Sequence, residues 1–435
     1  MLPRYFYYLD LAMRSFKRNR VLTALMVVAI ALGIGASMTT LTVLYLLSGD
    51  PLPGKSDTIF AVQLDAAGED GYRPDQEPDF QLTRFDAETL LRARRGERQA
   101  MMTGGNVAIE PKLAGLDPFY ADSRYTSAEF FSMFDVPFAH GTGWSATEDG
   151  GRARIAVISK ELNEKLYGGE NSVGKSIRLD QNEFRIVGVL DHWRPTPHFY
   201  DLATGRYNEA EQVFVPFSTS VELKLSRSGN MNCWGDSEGD QHSLAAPCTW
   251  IQYWVQLDPA KASAYRDYLV SYSEQQRKAG RFARPPNVRL RDVMQWLDFR
   301  GVVPSDVRLQ TWLAFGFLLV CLLNTIGLLL AKFLRRSSEI GVRRALGASR
   351  KAIFTQFLVE AGTVGLVGGA LGLGLAWLGL WAVRQQPSDY AALAELDLFM
   401  LATTFALAIT SSVLAGLVPA WRACQISPAL QLKSQ

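Results

Sequence analysis

Residues 21–47 read VLTALMVVAIALGIGASMTTLTVLYLL and contain no charged side chain. A helix that crosses the hydrocarbon core of a bilayer needs about 20 apolar residues, so this stretch predicts a transmembrane helix. The apolar stretch of a cleavable signal peptide has only about 7–15 residues, and we therefore interpret residues 21–47 as a retained anchor. Three further apolar blocks, at about 309–333, 352–383 and 396–421, bring the predicted membrane helices to four.

The segment between the first two apolar blocks has the mixed composition of a soluble domain. We expect residues 48–307 to form this domain and residues 308–435 to complete the membrane domain. Strand-like residues 154–159 and 252–257, and an amphipathic stretch at 264–278, indicate mixed α and β structure in the insert. The predicted fold class is an α-helical membrane protein with four transmembrane helices and a large α+β extracytoplasmic domain between helices 1 and 2.

The positive charges flank the apolar blocks unevenly. Lys and Arg are abundant in residues 1–20 and between the second and third blocks, whereas the next connection has Asp389, Glu395 and Asp397 against Arg384. Because short cytoplasmic segments carry an excess of Lys and Arg, we expect both termini in the cytoplasm and the large domain outside. The net formal charge of +2 gives no indication of a nucleic-acid partner.

Two cysteines, Cys233 and Cys248, lie in or beside residues 195–246, a stretch rich in Gly, Ser and Asn for which we expect long loops. An oxidising compartment would permit a disulfide between them, and two buried free thiols are the alternative. The four His residues show no zinc-ligand spacing. We expect no metal site, no catalytic residues and no cofactor bound by this chain.

The third apolar block contains glycines spaced four residues apart. Gly365 with Gly369, and Gly368 with Gly372, share helical faces that would let helix backbones approach closely in lipid. Glycine is also simply frequent in membrane helices, which leaves its role here open. We expect Glu360 of this block at the cytoplasmic interface rather than as a buried proton relay, because the block is longer than a bilayer core of about 30 Å.

The connection between the second and third blocks is the most distinctive stretch of the chain. Residues 335–351 read RRSSEIGVRRALGASRK. Ser337 or Ser338 can cap a helix and Gly347 can end it, which predicts a short helix at 337–347 on the inner face. Its mixture of apolar and cationic side chains is typical of a docking element. The alternative is a basic segment that binds anionic lipid headgroups.

The run Glu339-Ile-Gly-Val-Arg-Arg-Ala-Leu-Gly-Ala348, followed by Gln356-Phe-Leu-Val-Glu-Ala361, resembles the signature of the FtsX-like permease domain of MacB-type ABC transporters. Residues 127–141, 155–190 and 213–218 resemble segments of that family's periplasmic domain. The resemblance covers most of the chain. It implies a permease of the bacterial inner membrane with a periplasmic domain.

The resemblance also implies how such a permease works. ATP-driven motion would pass from a cytoplasmic ATPase dimer to the periplasmic domain, where a substrate is exported or extracted. The residues that would couple to the ATPase are Glu339, Ile340, Gly341, Val342, Arg343, Arg344, Ala345, Leu346 and Gly347. A second permease, identical or paralogous, would complete the pair in the lipid bilayer, and a periplasmic adaptor and an outer-membrane channel are further candidate partners.

No nucleotide-binding domain precedes the first apolar block, so we expect a permease without an ATPase of its own, with ATP bound by a partner subunit. A non-transporting membrane regulator of a periplasmic enzyme or a signalling partner is the alternative function.

Residues 169–176 read GENSVGKS and match the P-loop pattern. A P-loop follows a strand and opens a helix, so that backbone amides and the helix N-terminus hold the phosphates. Here the order is reversed, because residues 160–167 before the motif predict a helix, and residues 177–180 and 183–190 after it predict a strand pair. We expect a loop leading into a hairpin that turns at Gln181 and Asn182, and no nucleotide site.

Overall fold

The computed structural model describes residues 19–112, 115–235, 239–386 and 398–424. Its contacts divide the chain into two compact units. The membrane unit consists of Met1–Ser48 and Val303–Gln435, and the α/β unit consists of Gly49–Val302. The boundary at 302 lies before the expected one because the second membrane helix begins with polar residues that resemble the soluble domain in composition.

The helices and strands of the described residues are numbered in chain order. The helices are α1 (Arg20–Leu47), α2 (Arg84–Ala93), α3 (Phe130–Met133), α4 (Ala146–Gly150), α5 (Lys160–Tyr167), α6 (Phe217–Glu222), α7 (Ala262–Lys278), α8 (Val293–Phe299), α9 (Ser305–Leu334), α10 (Ser337–Ala345), α11 (Arg350–Arg384) and α12 (Leu398–Cys424). The strands are β1 (Ile59–Leu64), β2 (Leu82–Thr83), β3 (Arg98–Ile109), β4 (Phe119–Thr126), β5 (Phe138–Gly141), β6 (Ile155–Ile158), β7 (Ser176–Leu179), β8 (Asn182–Leu190), β9 (Val213–Pro216), β10 (Arg227–Ser228), β11 (Asn232–Cys233), β12 (Cys248–Gln256) and β13 (Val288–Asp292).

In the described part of the chain, four helices are long and apolar enough to cross a membrane: α1, α9, α11 and α12. They correspond to the four predicted apolar blocks, and α9 and α11 extend beyond those blocks into polar residues at their ends. The predicted fold class, four membrane helices with a large α/β domain between the first and second, is therefore confirmed.

Glycines of α11 pack against α1. A Cβ atom on Gly368 would lie 2.8 Å from Cγ2 of Ile30, and one on Gly372 would lie 3.1 Å from Cβ of Ile34. Both distances are shorter than ordinary van der Waals contact, so the two helices approach more closely here than larger residues would allow. The close packing of this face of α11 against α1 therefore requires glycine, which has no side chain, at positions 368 and 372.

A second glycine face of α11 packs against α12. A Cβ atom on Gly369 would lie 2.6 Å from Cβ of Ala408, and one on Gly365 would overlap the side chain of Ser412. The two glycine pairs thus serve two different neighbours, as a helix with small residues on two faces can. In contrast, a Cβ atom on Gly374 would meet no atom within 4 Å.

The α/β unit is built on one mixed sheet. Among the described residues, its main path runs β13-β1-β12-β3-β4-β9-β6-β8-β5, and the short strands β2, β7, β10 and β11 pair beside it. The pairs β4–β9 and β6–β8 are parallel, whereas the other pairs are antiparallel. Every residue of β12 is buried, so this strand lies at the centre of the core.

The predicted hairpin is present, with its turn one residue earlier than expected. Strands β7 and β8 pair with Leu179 opposite Asn182, and the turn residues are Asp180 and Gln181. Both turn residues have positive φ angles, of 43° and 66°. This is the pattern of a two-residue turn whose twist matches that of the flanking strands.

Cys233 of β11 lies opposite Cys248 of β12, and the two are joined by a disulfide with their Cα atoms 4.1 Å apart. The bond closes a loop between residues that are 15 apart in sequence. This loop lies almost entirely within the region for which long loops were expected. Within that region, however, β9 and α6 are regular elements, because Val213–Pro216 is buried between β4 and β6.

A buried cluster of charged residues joins β4 to the segment that precedes β9. The guanidinium of Arg124 contacts the Glu211 carboxylate, and its Nη1 lies 2.8 Å from Oδ2 of Asp201. Tyr200 donates a hydrogen bond of 2.7 Å to Glu211, and His198 lies 3.5 Å from the same carboxylate. Burial alone would raise the pKa of Glu211, but Arg124 and His198 outweigh burial and hold that pKa well below its usual range.

Candidate functional site

Helix α10 is anchored to the membrane unit by an apolar side chain. Ile340 is buried in the same cluster as Phe333 of α9 and Phe357 of α11. The rings of Phe333 and Phe357 stack with centroids 4.0 Å apart. These contacts place α10 beside the ends of α9 and α11.

Polar contacts fix the same side of α10. Arg343 donates a hydrogen bond of 3.1 Å to the Gln356 side chain of α11, and its Nη2 lies 2.9 Å from the Glu339 carboxylate. Arg336, which precedes α10, also binds Glu339, at 3.2 Å. Glu339 and Arg343, two of the residues predicted to couple to the ATPase, therefore have partners within the chain.

A second side of α10, turned away from Ile340, carries exposed apolar side chains. Val342 is 58% exposed and Leu346, just after the helix, is 83% exposed. They are four residues apart, so they lie on one face of the helical turn. An exposed apolar surface of this kind is typical of a contact with another protein or with the membrane.

The ends of α10 differ in how well the sequence predicted them. The helix begins at Ser337 with Arg336 at the N-cap position, rather than with a serine cap. At the other end Gly347 has a φ of 96°, and the amides of Gly347 and Ala348 donate to the carbonyls of Arg344 and Arg343. This pattern is a Schellman motif, which confirms Gly347 as the C-terminal stop of the helix.

The nine residues named as coupling residues thus divide into groups. Glu339, Ile340 and Arg343 face the membrane unit, and Val342 and Leu346 face outward. Gly341 and Arg344 are half-buried, and Gly347 forms the turn. The side chain of Ala345 lies outside the described residues.

Glu360, which we expected at the cytoplasmic interface, is enclosed by protein. Its side chain is 1% exposed, and its Oε1 lies 2.6 Å from Nζ of Lys332, which is fully buried. Its Oε2 lies 3.3 Å from Nη1 of Arg336. Neither of these two partners of Glu360 was predicted from the sequence. An intramembrane carboxylate usually needs a cation, and Lys332 at the end of the second apolar block was the available signal.

The α/β unit contains a cleft of 850 Å³ beside helices α2, α4 and α6. Side chains of both signs line it, among them Arg84, Arg152, Glu88 and Glu222. Burial raises the pKa of Asp149 in this cleft, although Ser218 donates hydrogen bonds to its carboxylate. The mixed charge gives the cleft no strong preference for one sign of ligand.

The P-loop-like residues do not form a phosphate site. Helix α5 precedes the motif and strand β7 follows it, which is the reverse of the P-loop order. Nζ of Lys175 lies 3.7 Å from the Glu170 carboxylate and over the ring of Tyr167. Among the described residues, no cluster of three or more His, Cys, Asp or Glu side chains that could hold a metal occurs either.

The architecture is that of a membrane permease with an extracytoplasmic domain, and two family models match it. The model described as a MacB-like periplasmic core domain matches residues 23–270, which is more than half of the chain. The model described as an FtsX-like permease C-terminal region matches residues 312–428. The chain therefore belongs to the family of MacB-type ABC transporter permeases. Its four membrane helices and MacB-like periplasmic domain fit a multi-pass inner-membrane protein.

Two curated relatives match almost the whole chain. The pyoverdine export ATP-binding/permease protein PvdT of Pseudomonas fluorescens is 24% identical over 426 residues, which cover 96% of this chain and 58% of the relative. The macrolide export ATP-binding/permease protein MacB of Marinobacter nauticus is 23% identical over 435 residues, which cover 98% of this chain and 60% of the relative. The chain thus spans less than two thirds of the length of either relative.

Among solved structures, the periplasmic region of MacB from Actinobacillus actinomycetemcomitans matches 59% of this chain and 98% of its own length. The sequence identity is 12% and the TM-score is 0.36.

Proposed function

We propose that this chain is a permease subunit that receives ATP-driven motion from a separate cytoplasmic ABC ATPase dimer and transmits it to residues 49–302. The observation that carries the proposal is the division of α10 into two sides. Ile340 and Arg343 hold the helix to α9 and α11, whereas Val342 and Leu346 remain exposed. A helix that is held at Ile340 and Arg343 and exposes apolar side chains beside them can pass on the movement of a protein docked to it.

ATP binding is assigned to the partner in this proposal. Both matching family models describe permease segments, whereas the two relatives are named as ATP-binding/permease proteins. The ATPase would then act from a separate chain, and this chain would need no cofactor of its own. A second permease, identical or paralogous, would complete the pair in the bacterial inner membrane.

The proposed orientation has both termini in the cytoplasm and the α/β unit in the periplasm. The Lys- and Arg-rich segments at the N-terminus and around α10 support it. The relatives are named as exporters of pyoverdine and of macrolides, which favours export or extraction of a substrate over the regulatory alternative. A periplasmic adaptor and an outer-membrane channel are candidate further partners.

The docking face can be tested by copurification from native membranes. We expect the double variant Val342→Glu with Leu346→Glu to lose the ABC ATPase that mass spectrometry detects with the tagged wild-type chain. Burying an apolar side chain of this size contributes about 1.5–3 kcal/mol, so charging two of them should weaken binding by well over tenfold.

The matched control is Leu244→Glu, which introduces the same charge at an exposed leucine of the α/β unit. It should retain the ATPase. The double variant and the Leu244→Glu control should both elute as monodisperse peaks in size-exclusion chromatography. Undiminished copurification by the double variant would contradict the proposed docking face.

A further inference from the structure

Three charged side chains meet where α9, α10 and α11 come together. Lys332 and Arg336 approach different oxygens of Glu360, at 2.6 Å and 3.3 Å. Burying a charge is costly unless its partners are well placed, so this cluster favours one arrangement of the elements that carry it. Because Lys332 and Arg336 contact different oxygens, they also restrict rotation of the Glu360 carboxylate group. Turning the group toward one cation would lengthen its contact with the other.

The cluster connects each element near α10. Lys332 belongs to α9, and its Nζ lies 3.4 Å from Oγ1 of Thr23 in α1. Arg336 lies in the two-residue connection between α9 and α10, and it also binds Glu339 in the first turn of α10. Glu360 belongs to α11. A single carboxylate thus links three of the membrane helices to the connection that carries α10.

The apolar contacts of α10 alone would not provide this restriction. Ile340 packs against neighbouring aromatic rings, and hydrophobic contacts are non-directional. They hold α10 against the membrane unit without setting its register, which depends on directional contacts: the Arg343–Gln356 hydrogen bond near the end of the helix and the Glu360 cluster at its start. The charged contacts have defined partners and directions, so they can fix the helix in one register.

We propose that Glu360 is a positioning residue that locks the α9–α10 connection to α11, so that movement of α10 is passed to the membrane helices instead of being absorbed in the connection. This inference rests on the proposed function of α10. Without the carboxylate, Arg335 and Arg336 become a hinge, and a docked ATPase moves α10 alone.

The first test needs no ATPase. Hydrogen exchange of the backbone amides of residues 337–345 is measured by mass spectrometry on the full chain in lipid nanodiscs. We expect exchange about tenfold faster in Glu360→Gln than in the wild type. Local opening of α10 costs less free energy in this variant, because the charged contacts of Glu360 no longer have to be broken. Glu360→Asp, which keeps the charge, should restore most of the protection, and exchange in residues 49–302 should not change.

The matched control is Glu183→Gln, which removes a carboxylate from an exposed ion pair with Lys112 in the α/β unit. It should leave exchange in 337–345 as in the wild type. If Glu360→Gln does not assemble in the membrane, the double variant Lys332→Met with Glu360→Gln removes both buried charges and carries the same test. Wild-type exchange in 337–345 for the assembled variant would overturn the inference.

The second test uses the complex with the copurified ATPase. We expect Glu360→Gln to keep the ATPase bound and hydrolysing ATP, since Val342 and Leu346 are untouched, but to lose the ATP-dependent movement of the α/β unit. Wild-type movement in this variant would overturn the inference and leave the docking proposal intact. Failure of the proposed function would appear instead in the Val342 and Leu346 variants, as unchanged copurification.

Discussion

Replacing Arg124 by Met should strongly destabilise the α/β unit. The substitution keeps a long side chain but leaves the carboxylates of Asp201 and Glu211 buried without their cation. Removing one partner of a buried ion pair typically costs about 3–5 kcal/mol, because the remaining charge is uncompensated. The hydrogen bond from Tyr200 to Glu211 remains, so we expect the loss to fall in this range rather than above it.

The destabilisation caused by Arg124→Met should decrease as the pH is lowered. In the wild type the pKa of Glu211 is lowered by folding. The ionised Glu211 carboxylate therefore contributes its full stability above the pKa of a glutamate in the unfolded chain, about 4.3. This contribution is lost as the pH falls from there toward the pKa of Glu211 in the folded protein. Without Arg124, burial of Glu211 is still opposed by His198 and by the hydrogen bond from Tyr200 but no longer by the guanidinium, so the pKa of Glu211 rises and protonation relieves the variant. The difference in stability between wild type and variant should therefore shrink as the pH is lowered from about 7 to about 4.5.

The measurement is thermal and denaturant unfolding of the full chain in detergent, followed by tryptophan fluorescence. Arg178→Met is the matched control, because Arg178 forms an exposed ion pair with Glu110 at 3.1 Å, and such pairs contribute about 0–1 kcal/mol. A loss for Arg124→Met no larger than that of the control would refute the reasoning. So would a loss that stays constant over this pH range.

Two further predictions concern the packing of the membrane helices and the disulfide. Gly368→Ala should destabilise the detergent-solubilised chain by about 1–3 kcal/mol, because the new Cβ would lie 2.8 Å from Ile30. Gly374→Ala, whose Cβ would meet no atom within 4 Å, should be neutral or stabilising. Equal effects of the two substitutions in thermal unfolding would contradict the packing of α11 against α1. Cys233→Ser should cost the α/β unit about 3 kcal/mol by removing a bond between residues 15 apart in sequence. An unchanged unfolding midpoint in non-reducing conditions would count against that bond.

The membrane part of the fold could be predicted from the sequence because apolar length is a local signal. The hairpin that turns at Asp180 and Gln181 was predicted to within one residue, because strand and turn patterns are also local in sequence. The sheet order was not, because β12 pairs with β1 and β3, which lie more than 140 residues away in sequence. Arg124 and Glu211 resemble surface residues in sequence, and only the tertiary pairing reveals them as core.

The candidate site was predicted as a segment but not as a surface. The predicted helix at 337–347 overlaps α10, which ends at Ala345, and helical spacing separates Val342 and Leu346 from Ile340. Which side faces inward depends on Gln356 of α11, a contact between two helices that sequence spacing does not determine. The role of Glu360 was missed for the same reason, since its cations come from α9 and the connection after it.

The transmission of motion is tested most directly by a distance measurement in the assembled complex. Spin labels are introduced at Tyr120, which is exposed on the α/β unit, and at an exposed site of the extracytoplasmic domain of the second permease. Their separation is compared by pulsed electron paramagnetic resonance without nucleotide and after trapping with ATP and vanadate. A permease that transmits ATP-driven motion should show a shifted distance distribution in the trapped state. Identical distributions in a complex that hydrolyses ATP would contradict this transmission of motion.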